Sequence, residues 1–240
     1  MGRLAMTLFR TVPNPPDARL IFIGDIHGCY DELRELLALV APGANDLVVS
    51  VGDVVTKGPA AAKCLDLWRD RGYLAVKGNN ELKVLDSAHP LLRFFATENR
   101  DILLRRDLLR YLATWPLVLD FPDANVTAVH GGFLPQMQVT PDDVAREAEL
   151  VPKLRWIRHK NGDWMHVGKE KKKKGDVLWS EKWQGERVVV YGHTPVREPK
   201  VDKFALGLDT GCVYGGQLTA AILTRGEWSF RSVQAKRAYA

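Results

Sequence analysis

The chain has 240 residues, 46% apolar and 26% charged, the composition of a soluble globular protein with enough surface to bury a core. No apolar run approaches the roughly 18 residues a membrane span requires, and three scattered cysteines, Cys29, Cys64 and Cys212, exclude a disulfide framework or a zinc knuckle. The net charge is +5, of which the run "KEKKKK" at 169–174 (five Lys, one Glu) supplies +4, so a general nucleic-acid-binding face is not expected.

In chain order, "MGRLAMTLFR" has a short apolar patch with no small-residue cleavage site behind it, so no secretory signal is expected. Met6 stands where N-myristoylation wants Ser or Thr, and a reducing cytoplasm is the expected compartment. "RLIFIG" (19–24), "LVVSVG" (47–52) and "YLAVKG" (73–78) are apolar runs of strand length, each closed by glycine. Between them, Leu33, Leu36, Leu37 and Val40 recur at helical spacing, and "PAAAKCLDLWRDRG" has Pro59 suited to a first turn and Gly72 to a stop. This βαβαβ rhythm predicts an α/β sheet with helices outside it.

Residues 80–115 read as helices with one apolar stripe of Leu103, Leu104, Leu108, Leu109 and Leu112. A strand follows at "NVTAVHG" (125–131), then a short helix in "TPDDVAREAEL", capped by Thr140 with Pro141 just inside. From 151 to 186 the composition turns rich in Trp, Lys and Gly, which predicts an irregular insertion. Strands resume at "RVVVYGH", "KFALGLD", "LTAAILT" and "WSFRSV". With no internal repeat or linker, residues 1–240 read as a single domain.

Five of these strand ends open into loops that carry metal-ligand chemistry: "GDIHG" (24–28), "GDVVTKGP" (52–59), "GNNE" (78–81), "HGG" (130–132) and "GHTP" (192–195). Loops at the carboxyl ends of α/β strands gather on one rim. Singly, each piece reads as a turn, a helix cap or a structural histidine, and His89, His159 and His166 keep that reading. Together, Asp25, His27, Asp53, Asn79, His130 and His193 form a mixed nitrogen and oxygen set suited to two borderline divalent cations.

These motifs, extended by "LDTGCVYGGQLTAA" (208–221), resemble the calcineurin-like metallophosphoesterases, nearest the phosphoprotein-phosphatase and symmetrical diadenosine tetraphosphatase branch. The resemblance runs from about residue 20 to 224, and it implies an α/β/β/α sandwich of mixed sheets with two metals between them. On matching positions, Asp25, His27 and Asp53 hold the first metal, and Asp53 bridges to a second completed by Asn79, His130 and His193. Manganese is the first expectation, with iron, zinc, cobalt and nickel open. Two cations about 3.5–4 Å apart need an anionic bridge and activate a bridging hydroxide for in-line attack on phosphorus. Asn79 can give its carbonyl oxygen to metal and its NH₂ to a phosphate oxygen.

The match departs from the usual pattern in two linked places. The family's GDxVDRG reads here with Thr56-Lys57 for Asp-Arg, and its GNHE with Asn80 for the His that protonates the leaving oxygen. Thr-Lys at this place is similar to the ApaH-like phosphatases. Lys57 keeps the charge that grips phosphate, without the fork of arginine; Asn80 can bind phosphate but cannot deliver a proton. A serine alkoxide leaves poorly without a proton, whereas a nucleotide or polyphosphate leaves as a stable anion. The expected substrates are therefore phosphoanhydrides: dinucleoside polyphosphates such as diadenosine tetraphosphate, nucleoside polyphosphates or inorganic polyphosphate. The alternatives are a serine/threonine/tyrosine protein phosphatase or general phosphomonoesterase, and a catalytically impaired chain in which Asn80 is a substitution. "WIR" (156–158) makes Arg158 the candidate second phosphate-binding arginine, with Arg155 as its rival on one helical face. The Lys run is a further candidate for drawing in a polyanion, Tyr214 for the site rim, and Asp209 for support behind the ligands.

Overall fold

The computed structural model describes residues 7–15, 17–88, 100–168 and 173–240. Gly2, Met6, His89 and Lys169–Lys172 lie outside the described residues, as does the stretch 89–99 of the expected helical region.

A short strand β1 (Phe9–Thr11) precedes the strand–helix alternation β2 (Leu20–Ile23), α1 (Tyr30–Val40), β3 (Leu47–Ser50), α2 (Ala61–Asp70) and β4 (Leu74–Ala75). Three helices follow, α3 (Asn79–Ser87), α4 (Arg100–Leu103) and α5 (Arg106–Thr114). Leu103, Leu108 and Leu112 are buried but Leu104 is half exposed. The expected leucine stripe breaks there because α4 ends at Leu103 and α5 restarts the phase at Arg106.

Strands β5 (Val118–Phe121) and β6 (Val126–Val129) lead to α6 (Pro141–Arg146), whose first turn is capped by the Thr140 hydroxyl accepting from Asp143 N at 3.2 Å. Residues 151–186 are more regular than their composition predicts: β7 (Trp156–Lys160), β8 (Asp163–His166) and β9 (Val177–Leu178) form an antiparallel sheet in the order β8-β7-β9. The strand in "WIRHK" escapes notice because only Ile157 is buried, between charged and aromatic neighbours that stay partly in water. The chain continues through β10 (Val188–Tyr191), β11 (Lys200–Asp202), β12 (Ala205–Gly207), β13 (Gln217–Thr224) and β14 (Glu227–Gln234).

Two mixed sheets stack face to face, β14-β13-β2-β3-β4 and β1-β5-β6-β10-β12-β11. β2, β3 and β4 run parallel, as do β6, β10 and β12. The period of two sends Leu20 and Phe22 of β2 between the sheets, where they meet Phe121, Val126 and Val190, and Ile21 and Ile23 outward against Leu33 and Leu36 of α1 and Leu65 and Trp68 of α2. The outer face of the other sheet is covered by Phe133, Val144 of α6, Ile157, Trp179 and Trp183. This is a mixed α/β sandwich with helices outside one sheet and a thinner cover on the other.

Phe22 is fully buried and meets Phe121 edge-on, ring centroids 5.7 Å apart. Phe22→Ala opens a cavity between the sheets and lowers unfolding stability by about 3–5 kcal/mol, read as a shift of the urea midpoint.

Candidate metal centre

Five loops reach one point because five strands end there with the same polarity. β2 delivers Asp25 and His27, β3 delivers Asp53, β4 leads to Asn79 at the start of α3, β6 delivers His130 and β10 delivers His193. The first three come from one sheet and the last two from the other.

The buried Glu81 carboxylate binds two of these loops together. Its Oε2 accepts from Gly78 N (2.7 Å) and Asp53 N (2.9 Å), and its Oε1 from Val54 N (2.9 Å) and Val55 N (3.1 Å). Three donors come from the loop after β3, and the fourth closes a capping box on α3. Thus Asp53 and Asn79 are placed by one carboxylate that touches neither side chain. The turns are tight: His27, Asp53, Thr56, Lys57 and His193 all have positive φ, between 46° and 71°, a conformation that costs an L-residue about 1–2 kcal/mol. Glycine is required beside them. A Cβ on Gly192 would lie 2.1 Å from Asp25 Oδ1, and one on Gly78 2.2 Å from Asp53 Oδ1.

Each histidine spends one ring nitrogen on a backbone carbonyl. His27 Nδ1 lies 3.0 Å from Val55 O, His130 Nδ1 2.9 Å from Val51 O, and His193 Nε2 3.2 Å from Lys153 O. A carbonyl only accepts, so those nitrogens carry the hydrogen and the other nitrogen of a neutral ring is bare. At His130 the bare Nε2 faces Asp53 Oδ1 at 3.3 Å and Asn79 Oδ1 at 3.3 Å. Three lone-pair atoms aimed at one another are stable only around a proton or a metal ion. Asp25, His27 and Asp53 place one ligand atom each within 4.8 Å of one another, as do Asp53, His130 and His193. The two sets share Asp53, so the donor set fits two adjacent cations.

The electrostatics say the same. Burial, then the neighbouring Asp209 and Asp53 charges, push the Asp25 carboxyl well above the usual range, and burial raises Asp209. Burial would raise Asp53 too, but the charge and hydrogen bond of His130, the His27 charge and the Asn80 N–H together outweigh it and hold that carboxyl below its ordinary value. Burial opposes protonation of His130, yet Asp53 and Asp25 raise it to about 10. His27 falls to about 4, chiefly through burial, and His193 to about 2 through burial and the His130 charge. The site therefore concentrates carboxylates with too little positive charge of its own.

Around this centre, the Lys57 ammonium lies 3.0 Å from His27 Nε2 and donates to the Tyr214 hydroxyl at 2.8 Å. Tyr214 is 48% exposed and so stands at the rim. Asn80 is buried and turned inward: its backbone N–H donates to Asp53 Oδ1 at 3.0 Å and its side-chain NH₂ to Asp53 Oδ2 at 2.5 Å. Arg158 takes a different place from the one expected. Its guanidinium grips Asp176 with Nε–Oδ1 at 2.7 Å and Nη2–Oδ2 at 2.8 Å. Arg155 instead donates from Nη2 to His193 O at 2.6 Å. Their shared helical face does not exist, because Arg158 lies in strand β7 and Arg155 just before it. Asp209 is buried behind the ligands and accepts from Gly211 N at 3.1 Å.

A family model for calcineurin-like phosphoesterases matches residues 18–226. The chain belongs to that family. This phosphoesterase is 26% identical over 229 residues to the asymmetrical bis(5'-nucleosyl)-tetraphosphatase PrpE of Oceanobacillus iheyensis, with 84% of this chain and 87% of the relative covered. It is 30% identical over 250 residues to the symmetrical bis(5'-nucleosyl)-tetraphosphatase of Aeromonas hydrophila, covering 82% of this chain and 92% of the relative. A crystal structure named as a candidate diadenosine tetraphosphatase superposes with a TM-score of 0.80 at 32% identity, covering 95% of this chain and 98% of the other. The phosphoesterase is thus a hydrolase of the metallophosphoesterase type.

Sequence reading passes over one residue here and sets another second. Glu81 carries a signal, standing three positions after Gly78 at capping-box spacing; Arg155 ranks behind Arg158. Replacing Glu81 with Gln leaves backbone N–H groups facing an NH₂, at about 1–3 kcal/mol per unmatched donor. The expected outcome is a lower urea midpoint together with weaker Mn²⁺ binding in calorimetry, since the loop that carries Asp53 is released.

Proposed function

We propose that the phosphoesterase hydrolyses phosphoanhydride bonds in dinucleoside polyphosphates, nucleoside polyphosphates or inorganic polyphosphate. In this reading Asp25, His27 and Asp53 hold one divalent cation, and Asp53, Asn79, His130 and His193 a second. Manganese is the first choice, and iron, zinc, cobalt and nickel suit the same donors. When bound, such a pair supplies Lewis acidity and an activated water for attack on phosphorus.

The observation that carries the reading is the posture of Asn80. At the position from which a side chain could protonate a leaving oxygen, an amide is folded back onto Asp53 at 2.5 Å. General-acid help is worth roughly 10²–10⁴-fold, and a leaving phosphate does without it. The chain's own tasks are then binding and charge neutralisation. Lys57, steadied by Tyr214, meets the phosphoryl oxygens as a point charge, and Asn79 adds an amide donor. The names of the relatives support the dinucleotide class, and they include both symmetrical and asymmetrical cleavage.

No described helix is long and apolar enough to cross a membrane. The three cysteines are free and buried, which supports a reducing cytoplasm.

Protein reconstituted with Mn²⁺ is to be tested on diadenosine tetraphosphate, ATP, long polyphosphate, a phosphoserine peptide and p-nitrophenyl phosphate, with products resolved by ion exchange. kcat/KM for at least one anhydride should exceed that for the phosphopeptide by about 10²-fold or more. Comparable turnover of the phosphopeptide sinks the reading. Lys57→Ala should lower kcat/KM on every substrate by about 10²–10³-fold, as loss of a charge-stabilising donor does, with Lys57→Arg recovering part of it. Asn80→His should raise turnover of the phosphopeptide relative to the anhydrides, because a proton donor returns to the site.

A further inference from the structure

Segment 235–240, which follows β14, lies against the loop that carries Tyr214 and is fixed there. Ala235 N donates to Gly216 O at 2.8 Å, Tyr239 N to Val213 O at 2.8 Å, and Ala238 forms a β-bridge with Tyr214. Glu32 of α1, fully buried, accepts from Lys236 N at 3.0 Å and from the Tyr239 hydroxyl at 2.7 Å through one oxygen. The segment is thereby tied both to α1 and to the loop that holds Tyr214, the partner of Lys57. A buried carboxylate shared by a backbone N–H and a hydroxyl is a firm anchor.

This anchoring presents Arg237 to the rim. Lys57, Pro59, Arg237, Ala238 and Tyr239 line one open pocket of about 370 Å³, within the range of small-ligand pockets, roughly 300–1,000 Å³. No carboxylate lines it among the described residues. The Arg237 guanidinium lies over the Tyr239 ring, 5.2 Å from its centroid, and the Lys57 ammonium over the Tyr214 ring at 5.1 Å. Positive groups therefore lead outward from the candidate metal centre: Lys57 lies 3.0 Å from His27, and Arg237 lines the same pocket as Lys57.

We propose that this pocket is a second phosphate subsite, in which Arg237 takes a phosphate linked to the one held at Lys57 and the metal centre. The proposal rests on the phosphohydrolase reading of the centre and names the ligand class it selects, chains of two or more linked phosphates. A guanidinium on an aromatic face keeps its edge free for a two-point grip on phosphate oxygens, and Lys57 serves both subsites as a shared cation. A monoester with one phosphate leaves Arg237 unused.

Arg237→Ala and Arg237→Lys, in the full chain loaded with Mn²⁺, test it. The expected result for Arg237→Ala is an about tenfold lower kcat/KM on diadenosine tetraphosphate, carried by KM. That is the lower end of what a hydrogen bond to a charged group contributes. Turnover of p-nitrophenyl phosphate should stay within about twofold, and Arg237→Lys should fall between. As competitive inhibitors of p-nitrophenyl phosphate turnover, inorganic tripolyphosphate should weaken about tenfold and orthophosphate not at all. Equal losses on both substrates, or an unchanged tripolyphosphate inhibition constant, overturn the subsite. The two readings fail separately. If the wild-type protein cleaves no anhydride, the reaction assignment falls, while tripolyphosphate inhibition, or its calorimetric binding, still decides the role of Arg237. Arg237 is exposed, so an unchanged urea midpoint certifies that each variant is folded.

Discussion

The centre depends on one buried carboxylate that binds nothing but backbone. Glu81 accepts four N–H groups, three of them from a loop 26 to 28 residues earlier in the chain. Without it, the loop after β3 would have to hold Asp53, Thr56 and Lys57 at positive φ with little support. Strained residues persist where the surroundings over-determine them, and here a single side chain supplies much of that determination. Because Glu81 sits in the first turn of α3, it also sets where Asn79 and Asn80 meet Asp53. Scaffold and site are therefore the same set of bonds.

A second constraint is charge. Asp25, Asp53 and Asp209 are buried together, and the positive groups beside them are His130, whose protonated form is favoured, and the Lys57 ammonium. His27 and His193 are held in the neutral form by burial. Carbonyl partners fix which nitrogen of each ring is bare, so ring orientation is settled before any ligand arrives. Such preorganisation exposes acceptors to acceptors. Its electrostatic strain is relieved by a proton, as at His130, or by a metal cation, which makes the arrangement a candidate metal centre.

How much of this the sequence reveals follows from physics at particular residues. The strand ends at Gly24, Gly52, Gly78 and Gly192 are legible because each follows a short apolar run, and close approach of Asp25 or Asp53 forbids a Cβ at Gly192 and Gly78. β5 is not legible: "VLDF" carries Asp120, which is buried only because Arg187 and the Thr127 hydroxyl satisfy it, partners that are distant in sequence or visible only after pairing. β7 is hidden because only Ile157 is buried among aromatic and charged neighbours, so Arg158 in the strand and Arg155 just before it read as one helical face. Local patterns identify elements. They do not report which long-range partner a polar side chain will find.

The two departures in the motifs, Thr56-Lys57 and Asn80, acquire a common geometry in the fold. Where the family pattern has an acid and an imidazole, Thr56 faces His27 and Asn80 faces Asp53. Asn80 gives both its backbone and side-chain N–H groups to Asp53, so a position able to face the leaving group faces the shared carboxylate instead. Asp53 must keep two oxygens aimed at two ligand sets, and charge-assisted bonds to Asn80 limit its rotation. Lys57, freed from an acid neighbour, leans on Tyr214 and opens toward the pocket that Arg237 shares. On the proposed reading, the pair moves chemical effort from protonating what leaves to holding what stays. On the same proposed reading, a site built that way would discriminate by the number of phosphates it can grip and not by the basicity of the oxygen it expels.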